Sequence, residues 1–260
     1  MSGEDRDAIL LYDVIEGVAT LTLNRPEKRN ALDGALVQAL KSGLERTEAD
    51  ADVRVVALRG AGRDFCSGAD LGEMARIATL SREENVEDAR SLGDLFRRMR
   101  RHPKPVVAVV HGRALAGGCG LASACDLVLA RDDAEFGYPE VHLGFVPALV
   151  MTILRRKMGE GQAFELVARG HRFGAGEAWR LGLVHRVYAP DIFDDEVRRY
   201  LDELAAKPPS AVAMTKALLY ELDGLGFDEG LERAAMVNAE ARMTEACREG
   251  VRRFLDKASS

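Results

Sequence analysis

Apolar and polar positions alternate at the start of the chain. In "ILLYDV" and "GVATLTLNRP", Val18, Thr20 and Thr22 fall on one face and Ala19, Leu21 and Leu23 on the other, with Glu16-Gly17 between the two runs. That pattern predicts two strands joined by a tight turn. After "NRPEKRN" the period lengthens, and Leu36, Leu40 and Leu44 recur at helical spacing within Asp33 to Glu48, which predicts a helix with one apolar face. "VRVVALRG" and "PVVAVVHG" are short apolar runs ending in glycine and read as buried strands, with a polar helix from about Ser81 to Arg101 between them. Each run leads through a loop of small residues, "CSGADLGEM" after the first and "AGGCGLASA" after the second, into a helix. A repeated strand–loop–helix unit implies an α/β chain whose turns stack on one side. From about Asp191 the strand signals stop, and "IFDDEVRRYLDELAAK", "PSAVAMTKALLYEL" and the segment from Phe227 onward read as helices. The expected division is a core over residues 1–190 and a helical region over 191–260, with "KPP" punctuating the junction. Leu218, Leu219 and Leu222, and then Leu231, Ala235 and Met236, give that region apolar faces that need a partner surface.

Composition narrows the class. A chain of 260 residues can bury a sizeable core, and 47% hydrophobic with 30% charged residues is ordinary for a globular protein. The formal net charge of −6 disfavours nucleic acid and anionic membrane as partners. "MSGEDRDAIL" is acidic and lacks the apolar stretch of a signal peptide. Pro105 to Ala130 is long and apolar, but His111, Arg113, Asp126 and many glycines argue against a membrane span. Cys66, Cys119, Cys125 and Cys247 have neither CxxC spacing nor the density of a disulfide scaffold. Reduced thiols and a cytoplasmic location are expected.

The glycine-rich stretch "ALAGGCGLASACDL", Ala114 to Leu127, carries the chemical question. Bare backbone N–H groups between a strand and a helix can approach something anionic. The stretch lacks the GK[ST] ending of a phosphate loop, and Gly118 lies too far beyond Val110 for a dinucleotide fingerprint. Alone it signifies only close packing of a helix on a sheet. "RDFCSGADLGEM" stands at the matching place of the repeat, and two such loops can aim two N–H groups at one oxygen, as an oxyanion hole requires. Cys66 and Cys119 have no His–Asn or His–Asp partner pattern and read as small buried residues. Asp70 reads as a helix-starting or loop-bracing acid. His111 and His142 lack metal-ligand spacing, so no metal site is expected, and Arg155, Arg156 and Lys157 read as a solvated helix face.

"LNRPEKRNALD", "FCSGADLGEM", "VVAVVHGRALAGGCGLASACDLVLA", "AEFGYPEVHLGFVP" and "GEAWRLGLVHRV", in this order over Leu23 to Val187, resemble the crotonase, or enoyl-CoA hydratase/isomerase, family. The resemblance implies a crotonase-like spiral of repeated strand-strand-helix units with a C-terminal helical region that builds homotrimers, often paired into hexamers. It implies that Ala69 and Gly117 supply the oxyanion-hole amides for an acyl-CoA thioester. It also implies that the loop Ala69, Asp70, Leu71 and Gly72 and the turn holding Lys28, Arg29 and Ala31 contact the coenzyme A part of the substrate. No separate cofactor is implied. Hydratases of the family carry two glutamates twenty positions apart, and those positions here hold Gly120 and Glu140. The third acid of dienoyl-CoA isomerases falls on Ala148. The resemblance therefore implies an enoyl-CoA isomerase or hydratase with Glu140 as sole acid/base, isomerisation placed ahead of hydration. Thioester hydrolysis, decarboxylation and silent acyl-CoA binding are the alternatives. Gly120 is expected to begin the helix that follows the hole, across from Glu140, and a glutamate placed there would add a second carboxylate if the pocket admits it.

Overall fold

The computed structural model describes residues 8–258, so most of the acidic start lies outside the described residues. Strands β1 (Leu10–Ile15) and β2 (Val18–Leu23) form an antiparallel hairpin in the register Leu10↔Leu23 to Ile15↔Val18. Its turn residues Glu16 and Gly17 have φ of 51° and 83°, the left-handed pair that matches strand twist in a two-residue hairpin. Helix α1 (Gly34–Ala49) starts where the Asp33 side chain accepts from Leu36 N at 2.8 Å. Its Leu36, Leu40 and Leu44 are buried with Ala19, Leu21 and Leu23 in one core. The alternation in β2 and the helical period in α1 thus name the two faces that meet.

Strand β3 (Val55–Gly60) pairs in parallel with β2. Helices α2 (Leu71–Ile77) and α3 (Arg82–Arg101) follow it, the latter opened by a capping box between Ser81 and Glu84. Strand β4 (Val106–Val110) then pairs in parallel with β3, Leu58 opposite Ala108. After β5 (Arg113–Leu115) and α4 (Gly117–Ala124), strand β6 (Leu127–Arg131) returns beside β4. Strand β7 (Glu135–Gly137) pairs with β5, and helices α5 (Ala148–Lys157) and α6 (Glu160–Arg169) lead to β8 (Arg172–Gly174), antiparallel to β7. Helix α7 (Ala175–Arg180) and strand β9 (Arg186–Tyr188) complete two sheets, one ordered β1-β2-β3-β4-β6-β9 and one ordered β5-β7-β8.

Strand β4 and the first four residues of β3, Val55 to Leu58, are apolar because both faces are covered. One face joins the core shared with α1, and on the other Val55, Ala57, Val107 and Val109 pack with Phe193, Val197 and Leu201 of α8 (Phe193–Ala205). Three such side chains contribute about 1.5–3 kcal/mol each, enough to seat α8 on the sheet. The helical region expected from residue 191 therefore begins with a helix held by the core.

Helices α9 (Pro209–Glu221), α10 (Phe227–Met243) and α11 (Glu245–Ala258) follow, and α9 is attached differently. Its one buried residue among those described is Lys216. The Lys216 ammonium lies 2.6 Å from Asp126 Oδ2 and donates to the carbonyls of Met99 and Lys104 at 3.0 and 3.1 Å. Tyr220 donates its hydroxyl to Asp126 Oδ1 at 2.5 Å, and Val106 N donates to Asp126 Oδ2 at 2.7 Å. Burial pulls the Lys216 pKa below its ordinary value, and Asp126 opposes that pull. The Arg100 guanidinium stacks 3.8 Å from the Tyr220 ring centroid and pairs with Asp223, which also pairs with Arg156.

Lys157 departs from the solvated face expected for it: its side chain is half-buried and its ammonium donates to Cys125 O at 2.7 Å, whereas Arg155 and Arg156 are exposed. The apolar positions Leu219, Leu222, Leu231 and Met236 are exposed on this chain, as are Phe227 and Phe254. Among the described residues no helix is long and apolar enough to cross a membrane.

Replacing the buried Lys216 with Met keeps the stem but strips the largely covered Asp126 of its cation. The variant should lose about 3–5 kcal/mol of stability, read from the urea midpoint; an unchanged midpoint would show that the ion pair does not hold α9.

Candidate active site

The two loops of the repeat lie side by side because short bridges pair them. Cys66 N donates to Arg113 O and Leu115 N to Cys66 O, each at 3.0 Å. One residue layer further, Leu32 N donates to Gly68 O at 2.7 Å and Asp70 N to Leu32 O at 2.9 Å. Gly68 and Asp70 thus both face Leu32, and the intervening Ala69 N–H points the other way by strand alternation. Among the described residues it has no backbone acceptor. Gly68 adopts φ +104°, and a Cβ there would sit 2.9 Å from Ala116 Cβ and 3.7 Å from Gly117 N. The two loops therefore touch at Gly68 and Ala116-Gly117.

Ala116 turns the chain from β5 into α4 with φ 48° and ψ −125°, a conformation few non-glycine residues adopt. Such a residue costs about 1–3 kcal/mol and persists when its surroundings fix it; here its N–H donates to Gly137 O at 2.8 Å. The first amides of α4 have no intrahelical acceptor, and Gly117 N has no other backbone acceptor among the described residues. A Cβ on Gly118 would lie 2.2 Å from Cys66 O, so the helix presses directly on the neighbouring loop.

Glu140 follows β7 on a short 3-10 turn, Pro139–Leu143. Its side chain is buried with the residue 9% exposed, and Oε2 has no hydrogen-bond partner. Burial raises its pKa above the ordinary carboxylate value, opposed only by its own backbone N–H, with no neighbouring charge contributing. The Cys119 thiol is pushed up to about 12, first by burial, with the Glu140 charge adding to it. Cys66 is likewise pushed up to about 12 by burial. Neither thiol supplies a thiolate nucleophile near neutral pH.

Gly120 does not begin the helix; α4 starts at Gly117, and Gly120 N already donates to Ala116 O at 2.9 Å. A Cβ at Gly120 would meet Val150 Cγ2 of α5 at 2.6 Å and Phe96 Cζ of α3 at 3.6 Å. The pocket as built has no room for a glutamate at this position. What fills the space is apolar.

The remaining expected site residues are drawn together by ion pairs. Asp70 caps α2, accepting from Gly72 N at 2.8 Å, and its Oδ2 lies 3.2 Å from both Arg25 Nη2 and Lys28 Nζ. The Gly72 N–H first, and Lys28 next, hold the Asp70 carboxyl below the usual carboxylate range. The buried Arg25 also pairs with Asp33 at 2.7 Å and donates to Ala31 O at 2.7 Å. Ser67 N donates to Arg29 O at 3.0 Å. The turn 28–31 and the loop 69–72 therefore form one rim, with Lys28 and Arg29 exposed on it. Arg25 was not marked by the sequence reading, and its place before Pro26 gives no sign of its burial. His111 and His142 bond the carbonyls of Gly62 and Gly170 at 3.0 and 3.1 Å. No group of three or more His, Cys, Asp or Glu among the described residues is arranged to hold a metal ion.

Residues 13–260 match the family model for enoyl-CoA hydratase/isomerase. A Thermus thermophilus protein is 44% identical over 240 residues, covering 92% of this chain and 95% of its own. The 2,3-dehydroadipyl-CoA hydratase of Escherichia coli is 35% identical over 244 residues, 92% of each chain. Among solved structures, an enoyl-CoA hydratase of Mycobacterium smegmatis superposes with a TM-score of 0.92 at 39% identity, covering 96% of this chain and 97% of that one.

Gly120→Ala should cost about 1–3 kcal/mol through overpacking against Val150, and Gly120→Glu should cost more; chemical denaturation of both measures this. Glu140→Gln should act the other way. Because burial raises the folded-state pKa of Glu140, its charged form destabilises the fold once pH exceeds the unfolded value. The Gln variant should therefore be more stable than the parent at pH 7, with the difference vanishing below about pH 4. A stability gap independent of pH would contradict the assigned burial.

Proposed function

The chain belongs to the enoyl-CoA hydratase/isomerase family, and from that premise we propose that it hydrates a 2-enoyl-CoA thioester with Glu140 as the acid/base. The observation that carries this reading is the buried Glu140 carboxylate, with Oε2 unpartnered, in the segment bonded to α4, whose first amide and that of Ala69 are free to donate. In this mechanism the thioester oxygen accepts from Ala69 N and Gly117 N. Glu140 takes a proton from water as the water oxygen attacks the β-carbon, and the electron pair moves onto the thioester oxygen as an enolate. The same carboxyl group returns its proton to the α-carbon as the thioester reforms, so one water is added in full. Each donor to the developing oxyanion lowers the barrier by about 2.7–4 kcal/mol. The raised pKa of Glu140 brings it nearer the working range of an acid/base.

The rim of Lys28, Arg29, Ala31, Asp70, Leu71 and Gly72 is the proposed contact for coenzyme A, with the two exposed cations facing its phosphates. Hydration stands first because relatives bear that name, such as the short-chain-enoyl-CoA hydratase of Clostridium acetobutylicum, 33% identical. The isomerisation placed first from the sequence becomes the second reading. It is favoured by the apolar filling at Gly120, since moving a double bond needs one base and no water. In it, Glu140 takes the α-proton of a 3-enoyl-CoA and returns it to the γ-carbon.

The same reading includes a core and a C-terminal helical region divided near residue 190, and a homotrimer or hexamer. The exposed apolar residues of α9 to α11 support the assembly. A reducing, cytoplasmic setting agrees with four unpaired cysteines.

Supplying 2-enoyl-CoA and 3-enoyl-CoA separately to parent and Glu140→Gln enzymes decides the chemistry. The parent should consume the conjugated 2-enoyl absorbance, and the variant should lose a hundredfold or more of that rate, about the loss of a general acid–base group, while still binding the thioester. Conversion of only the 3-enoyl substrate would favour isomerisation, and parental rates in the variant would remove Glu140 from the mechanism. Sedimentation at micromolar concentration should give the mass of three or six chains; a single-chain mass would contradict the assembly.

A further inference from the structure

Two buried hydroxyls join the segment that carries Glu140 to the helix that begins at Gly117. Tyr138 and Ser123 are both fully shielded from water. Ser123 donates its hydroxyl to Cys119 O at 2.6 Å, and its oxygen lies 2.7 Å from Tyr138 Oη. A serine hydroxyl has one proton, so with that proton on Cys119 O the second bond must be donated by tyrosine. The order is Tyr138 O–H to Ser123 O–H to Cys119 C=O. Burial pushes the Tyr138 phenol well above its ordinary pKa, which keeps it a donor.

A second tie runs beside the first. Ala116 N donates to Gly137 O at 2.8 Å. Residues 137 and 138 are thus bonded to α4 at two places, just before its first residue and at its far end. Glu140 follows two residues later, and Gly117 follows Ala116 directly.

A phenylalanine would fill the space of Tyr138 about as well. The hydroxyl adds direction, because a buried donor left without its acceptor costs about 1–3 kcal/mol. That penalty discourages the 3-10 turn from sliding or rotating on α4. Reactions between a held substrate and a fixed base are sensitive to such motion, and a misplacement of 1 Å costs on the order of a hundredfold in rate.

We propose that Tyr138 and Ser123 are positioning residues, whose hydroxyl chain sets the Glu140 carboxylate relative to the amides at the start of α4. The inference rests on the reading of Glu140 as acid/base given above.

Tyr138→Phe, Ser123→Ala and the double variant test it, with Glu140→Gln as the reference for the underlying reading. Each single variant should lower kcat about tenfold, a few tenths of an ångström of misplacement on the scale above, with KM within about twofold of the parent. The double variant should be no slower than the worse single one, because both break the same chain. The thermal midpoint of Tyr138→Phe should stay near the parental value. If Ser123→Ala fails to fold, Tyr138→Phe still decides, since it preserves the packed volume. Parental kcat in Tyr138→Phe overturns the proposal, as does a kcat loss that tracks a fall in thermal midpoint, or singles whose effects multiply. If Glu140→Gln is inactive while Tyr138→Phe is parental, the positioning inference alone fails. If Glu140→Gln retains its rate, the reading of Glu140 fails with it.

Discussion

Close approach of α4 to the loop at Cys66 is the constraint on which the site depends. The helix can lie there because Gly118 has no side chain, a Cβ at that position falling 2.2 Å from Cys66 O. With the helix pressed in, its first turn sits beside Gly68, and the amides of Gly117 and Ala69 belong to touching segments. The strained Ala116 is the local consequence, a sharp turn tolerated because Gly137 O holds its N–H. The same tight packing continues one turn on, where Val150 and Phe96 close over Gly120. Small residues in this helix therefore do two things: they expose backbone donors at one end and exclude a second acid in the middle.

That exclusion shapes the chemistry. In the proposed hydration, Glu140 would both take and return the proton, so the water would have to bind where a single group reaches it and the α-carbon. Burial without a neighbouring charge gives Glu140 a raised pKa, which suits a group that must hold a proton part of the time. Remote parts of the chain serve this centre differently. Arg25 and Asp70 brace by charge the rim proposed to contact coenzyme A, whereas the proposed role of the buried Tyr138 and Ser123 hydroxyls is one of direction. The C-terminal helix α9 is joined to the core through Lys216, Asp126 and Tyr220, and its Leu219 is left exposed.

Much of the scaffold was legible in the sequence because it is periodic. Ala19, Leu21 and Leu23 against Leu36, Leu40 and Leu44 announced the first sheet–helix contact, and the two glycine-ended runs announced β3 and β4. The three-residue strands β5, β7, β8 and β9 were not legible, being too short to show any period. The partial burial of Lys157 is hidden in the sequence because a run of three cations looks uniformly solvated, although successive helix residues face directions about 100° apart. Glu140 could be proposed from its motif. The filling of position 120 could not, because Val150 lies thirty residues on, and Arg25 could not, because its partner Asp70 lies 45 residues away. Periodicity reports the face a residue uses, not which distant residue meets it.

The account turns on two backbone amides polarising a thioester carbonyl, and vibrational spectroscopy of that bond tests it most directly. An enoyl-CoA labelled with carbon-13 at the thioester carbonyl, bound to the Glu140→Gln protein, gives a resolvable C=O stretch by difference infrared measurement. Donation from Ala69 N and Gly117 N predicts a stretch at lower wavenumber than for the same thioester free in water. A bound carbonyl that vibrates at the free value would contradict the claim that these amides hold it.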